Sequence, residues 1–227
     1  MKVRIKGILF DMDGVLVSSI GSVERSWTKW ALMHGLDPVY AIESAHGRRS
    51  IDSIRALRPD LDAELENERV EDWEVEDREG VEALPGVSAL IAQLPPGSWT
   101  IVTSATKRLA LARLGAAGIT PPANFITADV VAKGKPDPEP YRKGAELLGF
   151  APEECLVIED AVSGATAGRA AGCNVLATTL SHSIESLLAA DWVVQTLEGI
   201  KVMVLADGEG LELEFQPLPR PEIKEFS

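Results

Sequence analysis

Five runs of strand length carry apolar side chains at nearly every position: IKGILF, WTIVTS, CLVIED, CNVLATT and DWVV. A strand with one wet face alternates apolar and polar residues, so an unbroken apolar run needs cover on both sides. That is the mark of a parallel sheet held between helices. The helix-like segments KRLALARLGAAG, EPYRKGAELLG and AVSGATAGRAAG lie between the runs and supply the cover. The pattern predicts an α/β fold whose core is a doubly wound parallel sheet. Ligands of such sheets gather beyond the carboxyl ends of the strands, where Asp11, Ser104 and Asp160 each fall.

Residues 17–84 break the alternation. SVERSWTKWALMHG, RRSIDSIRALRPD and LDAELENERVEDWEVEDREG have helical spacing and no strand signal, which predicts a helical insert between core segments 1–16 and 85–227. From Asp60 to Glu82 there are twelve acidic residues and two arginines; density without convergent geometry reads as a solvated helix face rather than a metal site. EALPGV is expected to be a hinge back into the core, and QLPPGS a helix-to-strand turn. Near the end, IKVMVLADGEGLELEF reads as a hairpin around an Asp-Gly turn, followed by an extended, mobile tail, QPLPRPEIKEFS.

A formal net charge of -13 argues against nucleic acid and anionic membranes as partners, since both demand a basic surface. Any anionic ligand must then meet a local positive site. The two cysteines, Cys155 and Cys173, lie in apolar runs and read as buried free thiols. No stretch has the length of a signal peptide's apolar region or of a membrane span, so a cytoplasmic protein is expected, as a monomer or small homo-oligomer.

The first run continues as ILFDMDGVLV, with Asp11 and Asp13 at its end and Gly14 next. One helix start cannot use both acids as caps, and Gly14 lets backbone amides approach a ligand. Two carboxylates held together call for a cation, and a hard divalent ion with oxygen ligands fits. Ser104 ends the second run just before a helix, whose free amides suit an anion, although capping by Ser104 or Thr106 explains the stretch equally well. Lys135 stands before a proline in AKGKPDPEPY, and Glu159 and Asp160 close the run CLVIED.

Asp-Met-Asp-Gly-Val resembles the first motif of the haloacid dehalogenase superfamily of phosphotransferases, and the other three segments are similar to its remaining motifs in the same order. The resemblance implies that Asp11 is a nucleophile forming an aspartyl-phosphate, a reaction within the capacity of a carboxylate. It makes Asp13 the general acid/base, and Ser104 with the Ala105 amide the phosphoryl-binding pair. Lys135 neutralises the charge of transfer, and Asp160 is a direct Mg²⁺ ligand. Glu159 then ligates through water, while Asp11 and the Asp13 carbonyl complete the protein's share. The insert corresponds to the family's helical cap, which closes over the site and selects substrate.

True dehalogenases of the superfamily carry an aromatic residue at the position of Asp13, so phosphate chemistry is expected. AHGRRSIDSIRALRPDL resembles the cap motif His-Gly-x-Arg-x-x-Asp of fungal glycerol-3-phosphate and 2-deoxyglucose-6-phosphate phosphatases. The likeness extends through Trp27 and ITADVVAKGKPDPEPYRKG. It puts Arg49 in contact with substrate, with His46 behind it. Val15 is instead similar to β-phosphoglucomutases, but the position at which those place a cap histidine is Val23. The expected activity is therefore Mg²⁺-dependent hydrolysis of a small polyol or sugar phosphate. A phosphosugar mutase is the second reading and a non-catalytic binder of a phosphorylated metabolite the third.

Overall fold

A computed structural model describes residues 1–206 and 210–220. The Asp207-Gly208 turn of the expected hairpin and residues 221–227 of the expected tail lie outside the described residues.

The first apolar run is two strands rather than one. β1 (Lys2–Ile5) and β2 (Gly7–Phe10) separate at Lys6 and join different sheets. β1 alternates, with Lys2 and Arg4 outward and Val3 and Ile5 inward, whereas β2 is buried at all positions. The insert follows β3 (Val17–Ser18) and comprises α1 (Ile20–Met33), α2 (Pro38–Ala45), α3 (Ser50–Leu57) and α4 (Ala63–Glu76). α2 was not expected, although Asp37 caps it by accepting from the Val39 N–H and Pro38 opens it, a common helix start. These four helices pack around their own apolar cluster of Trp27, Trp30, Ala41, Ile54 and Val70. The chain returns through β4 (Glu82–Ala83), which pairs antiparallel with β3, so the two crossings run side by side.

α5 (Val87–Ile91), β5 (Trp99–Ile101), α6 (Lys107–Ala116), α7 (Glu139–Leu148), β6 (Cys155–Glu159), α8 (Val162–Ala171), β7 (Asn174–Thr178) and β8 (Trp192–Val194) complete the doubly wound layer. Its five strands are all parallel, in the order β5-β2-β6-β7-β8. Successive residues of the strands feed two cores. Ile8, Phe10, Ile158 and Leu176 pack with Val87 and Leu90 of α5 and Leu109 and Leu114 of α6. Leu9, Val157 and Val175 pack with Tyr141 and Ala145 of α7 and Ala165 of α8. Cys155 and Cys173 are buried and free.

β9 (Lys201–Val204) and β10 (Leu211–Glu214) form the expected hairpin, and it has a partner that the sequence did not announce. β10 pairs antiparallel with β1, Lys2 opposite Glu214 and Ile5 opposite Leu211. The tail begins docked rather than mobile, since the Leu218 N–H donates to Val193 O at 2.7 Å. Among the described residues, no helix is long and apolar enough to cross a membrane.

The acidic helix also departs from expectation. Its face is not wholly solvated: Glu66 is buried in the cap, where its carboxylate accepts from Trp30 Nε1 (2.9 Å) and Arg69 Nη1 (2.6 Å), with His34 Nε2 at 2.9 Å. Glu74 is buried too, and it faces the core.

Candidate active site

Asp11 directly follows β2 and stays in ladder register, its N–H donating to Ile158 O at 2.9 Å. The chain then coils back, with Leu16 and Val17 N–H groups both donating to Met12 O, and this carries Asp13 around to the same cleft. Gly14 has φ +82°, and a Cβ there would lie 1.9 Å from Asp160 Oδ2. The Gly14 N–H itself is taken, donating to Val17 O at 2.9 Å. What the residue contributes is room for Asp160.

Asp11, Glu159 and Asp160 are all buried, with carboxylate oxygens within 4.8 Å of one another. One ammonium stands among them: Lys135 Nζ lies 2.5 Å from Asp11 Oδ1 and 2.7 Å from Glu159 Oε1. Glu159 is fully engaged, accepting also from Tyr141 OH (2.7 Å) and from the N–H groups of Asp160 (3.0 Å) and Ala161 (3.1 Å). It therefore orients Lys135. Asp160 accepts from Ser181 Oγ, and His182 Nδ1 lies 3.1 Å from the Asp160 carbonyl.

The charges do not balance. Burial, then the charge of Glu159, raises Asp11 well above the usual carboxylate range despite Lys135. Burial and Glu159 likewise push Asp160 up to about 7. Burial works against the Lys135 charge, yet Asp11 and Glu159 outweigh it and hold its pKa above the ordinary value. Three buried carboxylates against one ammonium make a donor set suited to a hard cation.

On the other side of the cleft, Asp13 Oδ1 accepts from Ser19 Oγ at 2.6 Å and lies 3.0 Å from Arg113 Nη1. Arg113, on α6, is buried, and its Nη2 is 3.4 Å from Glu74 Oε2 of α4. Burial, reinforced by the charges of Asp13 and Glu71, lifts Glu74 to about 7 although Arg113 pulls the other way. Thr106, not Ser104, caps α6, accepting from the Leu109 N–H at 3.2 Å. That frees the Ser104 hydroxyl for the cleft, where it donates to Gly47 O of the insert at 3.3 Å; Ser163 Oγ donates to the same carbonyl at 3.0 Å. The Ala105 amide, expected to bind a ligand, here donates to Thr103 Oγ1 at 3.0 Å.

From the cap, His46 and Arg48 line the cleft and Arg49 does not. Arg49 is paired with Asp52 at 2.7 Å and donates to Val131 O (3.1 Å) and Ala132 O (3.3 Å). This corrects the expected substrate contact: Arg49 fastens the cap to the loop that carries Lys135, and borders a neighbouring cavity with Arg55, Asn67 and Asp129. Burial, then the nearby His182, keeps His46 below its ordinary pKa. The sequence reading passed over Arg113, Glu74, Ser181 and His182. None of these carried a local signal: even Arg113, a lone charge in ALARLGAAG, gains its meaning only beside Asp13 and Glu74.

The sequence model of haloacid dehalogenase-like hydrolases matches residues 5–172. The chain is similar to hexitol phosphatase A of Escherichia coli, 43% identical over 91% of this chain and 98% of that one. It is 32% identical to glycerol-1-phosphate phosphohydrolase 2 of Saccharomyces cerevisiae, covering 89% and 86% of the two chains. Among solved structures, a hydrolase from Pseudomonas syringae matches with a TM-score of 0.74 at 25% identity, over 84% of this chain and 93% of that one.

Proposed function

The chain belongs to the haloacid dehalogenase-like hydrolases, and from that premise we propose that this phosphatase hydrolyses monophosphate esters of small polyols or sugars in the cleft between core 1–16 with 85–227 and cap 17–84. The observation that carries the reading is the meeting of Asp11, Asp13, Lys135 and Asp160 at the ends of separate strands and loops. The hexitol and glycerol phosphatases named above support the substrate class.

In this reading an Asp11 oxygen attacks phosphorus while the bond from phosphorus to the ester oxygen breaks. Asp13 gives its proton to the departing alkoxide. Both donors on Asp13 go to Oδ1, which leaves Oδ2 to carry that proton. In the second half Asp13 takes a proton from water, the hydroxyl attacks the aspartyl-phosphate, and inorganic phosphate leaves with the Asp11 carboxylate restored. Lys135 and Ser104 bind phosphoryl oxygens, and Glu159 with Tyr141 fixes Lys135. Asp11, Asp160 and the Asp13 carbonyl would hold Mg²⁺, while Glu159, expected as a ligand through water, has both oxygens taken by Lys135, Tyr141 and two backbone N–H groups and would contribute its charge alone. When bound, that ion supplies the positive charge that the three carboxylates lack.

The mutase reading is weaker, because Val23 lines the cleft where mutases use a histidine, and it offers no proton-transfer group. A panel of phosphorylated metabolites with Mg²⁺, with and without EDTA, tests the proposal. Phosphate release from polyol and sugar esters that EDTA abolishes is expected. An inert panel would favour a binding protein, and conversion of β-glucose 1-phosphate to glucose 6-phosphate would favour a mutase.

A further inference from the structure

Arg113 is placed where a cation is hard to keep. Its side chain is 5% exposed and stands between Asp13 of the core and Glu74 of the cap, whose side chain is 3% exposed. Contact with Asp13 accounts for Nη1 alone. Among the described residues, the buried Nε and Nη2 have no hydrogen-bond partner, and the Glu74 contact is long at 3.4 Å. Interior guanidinium donors are ordinarily satisfied, since an orphaned donor forfeits its hydration for nothing. Arg113, Glu74 and Asp13 line the same cleft, so the three side chains stand together beside the space a substrate enters, with the Arg113 Nε and Nη2 donors buried behind it.

We infer that Arg113 and Glu74 form the subsite that reads the leaving group, Arg113 donating to a hydroxyl oxygen and Glu74 accepting from a hydroxyl of the esterified polyol or sugar. A hydroxyl is the group that both accepts and donates, which an adjacent donor and acceptor require. Charge narrows the class further. Arg113 is shared between two carboxyl groups, which leaves no net positive charge between α4 and α6 for a second anion, so esters that would place a carboxylate there are disfavoured. Because α6 belongs to the core and α4 to the cap, the subsite is complete only with the cap closed. The inference rests on the phosphatase reading and deepens it.

The test compares wild type with Glu74→Gln on glycerol 3-phosphate, a hexitol phosphate, phosphoglycolate and p-nitrophenyl phosphate, which has no hydroxyl. The ratio of kcat/KM for the hydroxylated esters to that for p-nitrophenyl phosphate should fall about ten- to a hundredfold, the scale of one charge-assisted hydrogen bond. Phosphoglycolate should gain on p-nitrophenyl phosphate. The ratio does not depend on how much of the variant is folded. An unchanged ratio overturns the inference, as does equal loss of all activities in both Glu74→Gln and Glu74→Asp, which would make Glu74 a support of the fold. Wild type that turns over p-nitrophenyl phosphate with no preference for hydroxylated esters overturns the subsite alone. Wild type inert on every ester overturns the phosphatase reading and the subsite together.

Discussion

Asp11 and Asp13 are two residues apart and meet different partners, Lys135 on the one and Arg113 with Ser19 on the other. Environment of this kind separates the roles of paired carboxylates. The surplus of acid at Asp11, Glu159 and Asp160 has a measurable consequence. Asp160 is raised in the folded protein from 3.8 to about 7, so between those values the metal-free native state binds more protons than the unfolded chain. Its contribution to stability is therefore present at low pH and lost as pH rises through that window; the raised Asp11 acts in the same direction. In the proposed reaction Mg²⁺ would compete with the proton for these carboxylates. The rise in Tm on adding Mg²⁺ should be larger at about pH 8 than at about pH 5, whereas an equal rise would place the ion elsewhere. Asp11 and Asp160 stood out in the sequence because each ends an apolar run, whereas Lys135 was singled out only by its resemblance to the family's lysine before proline. Glu74 and Arg113 were not, because an acid in an acidic helix and an arginine in an apolar one acquire meaning only when α4 and α6 meet.

The elements bring the cap onto the core. Gly47, at φ +69°, lets its carbonyl reach the hydroxyls of Ser104 and Ser163, and a Cβ there would stand 2.5 Å from Ser163 Oγ. Arg49 adds a second fastening, to the backbone of the Lys135 loop. Arg49→Ala should thus lower kcat/KM about tenfold for every ester and leave the ranking of substrates unchanged, because a clasp serves all of them alike. A changed ranking on the same panel would return Arg49 to the substrate. Helical spacing announced α1, α3 and α4 but could not say which side of an acidic helix is buried. The partners of Glu66 from outside its own helix, Trp30 and His34, lie on α1 and just beyond it.

At the scale of the whole molecule, the parallel core was readable because strands covered on both faces cannot alternate. Strand order was not, since parallel pairing leaves no mark in the sequence comparable to a hairpin turn. The second sheet was half readable: the β9–β10 hairpin announced itself, while its partner β1 was hidden in a run that also contains β2. Leu211 and Leu213 of that sheet, with Phe215 just beyond it, join the main core, and Leu213 is wholly buried. Leu213→Ala should cost about 2–5 kcal/mol, a fall of roughly 4–20 °C in Tm. A loss within about 0.5 kcal/mol would mean that the sheet is an appendage. The proposed reaction turns on the carboxyl ends of β2 and β6 and the Lys135 loop placing Asp11 where it can accept a phosphoryl group. The direct measurement is peptide mass analysis after rapid acid quench of the protein turning over a saturating polyol phosphate with Mg²⁺. One phosphoryl group on the peptide containing Asp11 is the predicted result; steady turnover with that peptide unmodified and the phosphoryl group on another residue would contradict it.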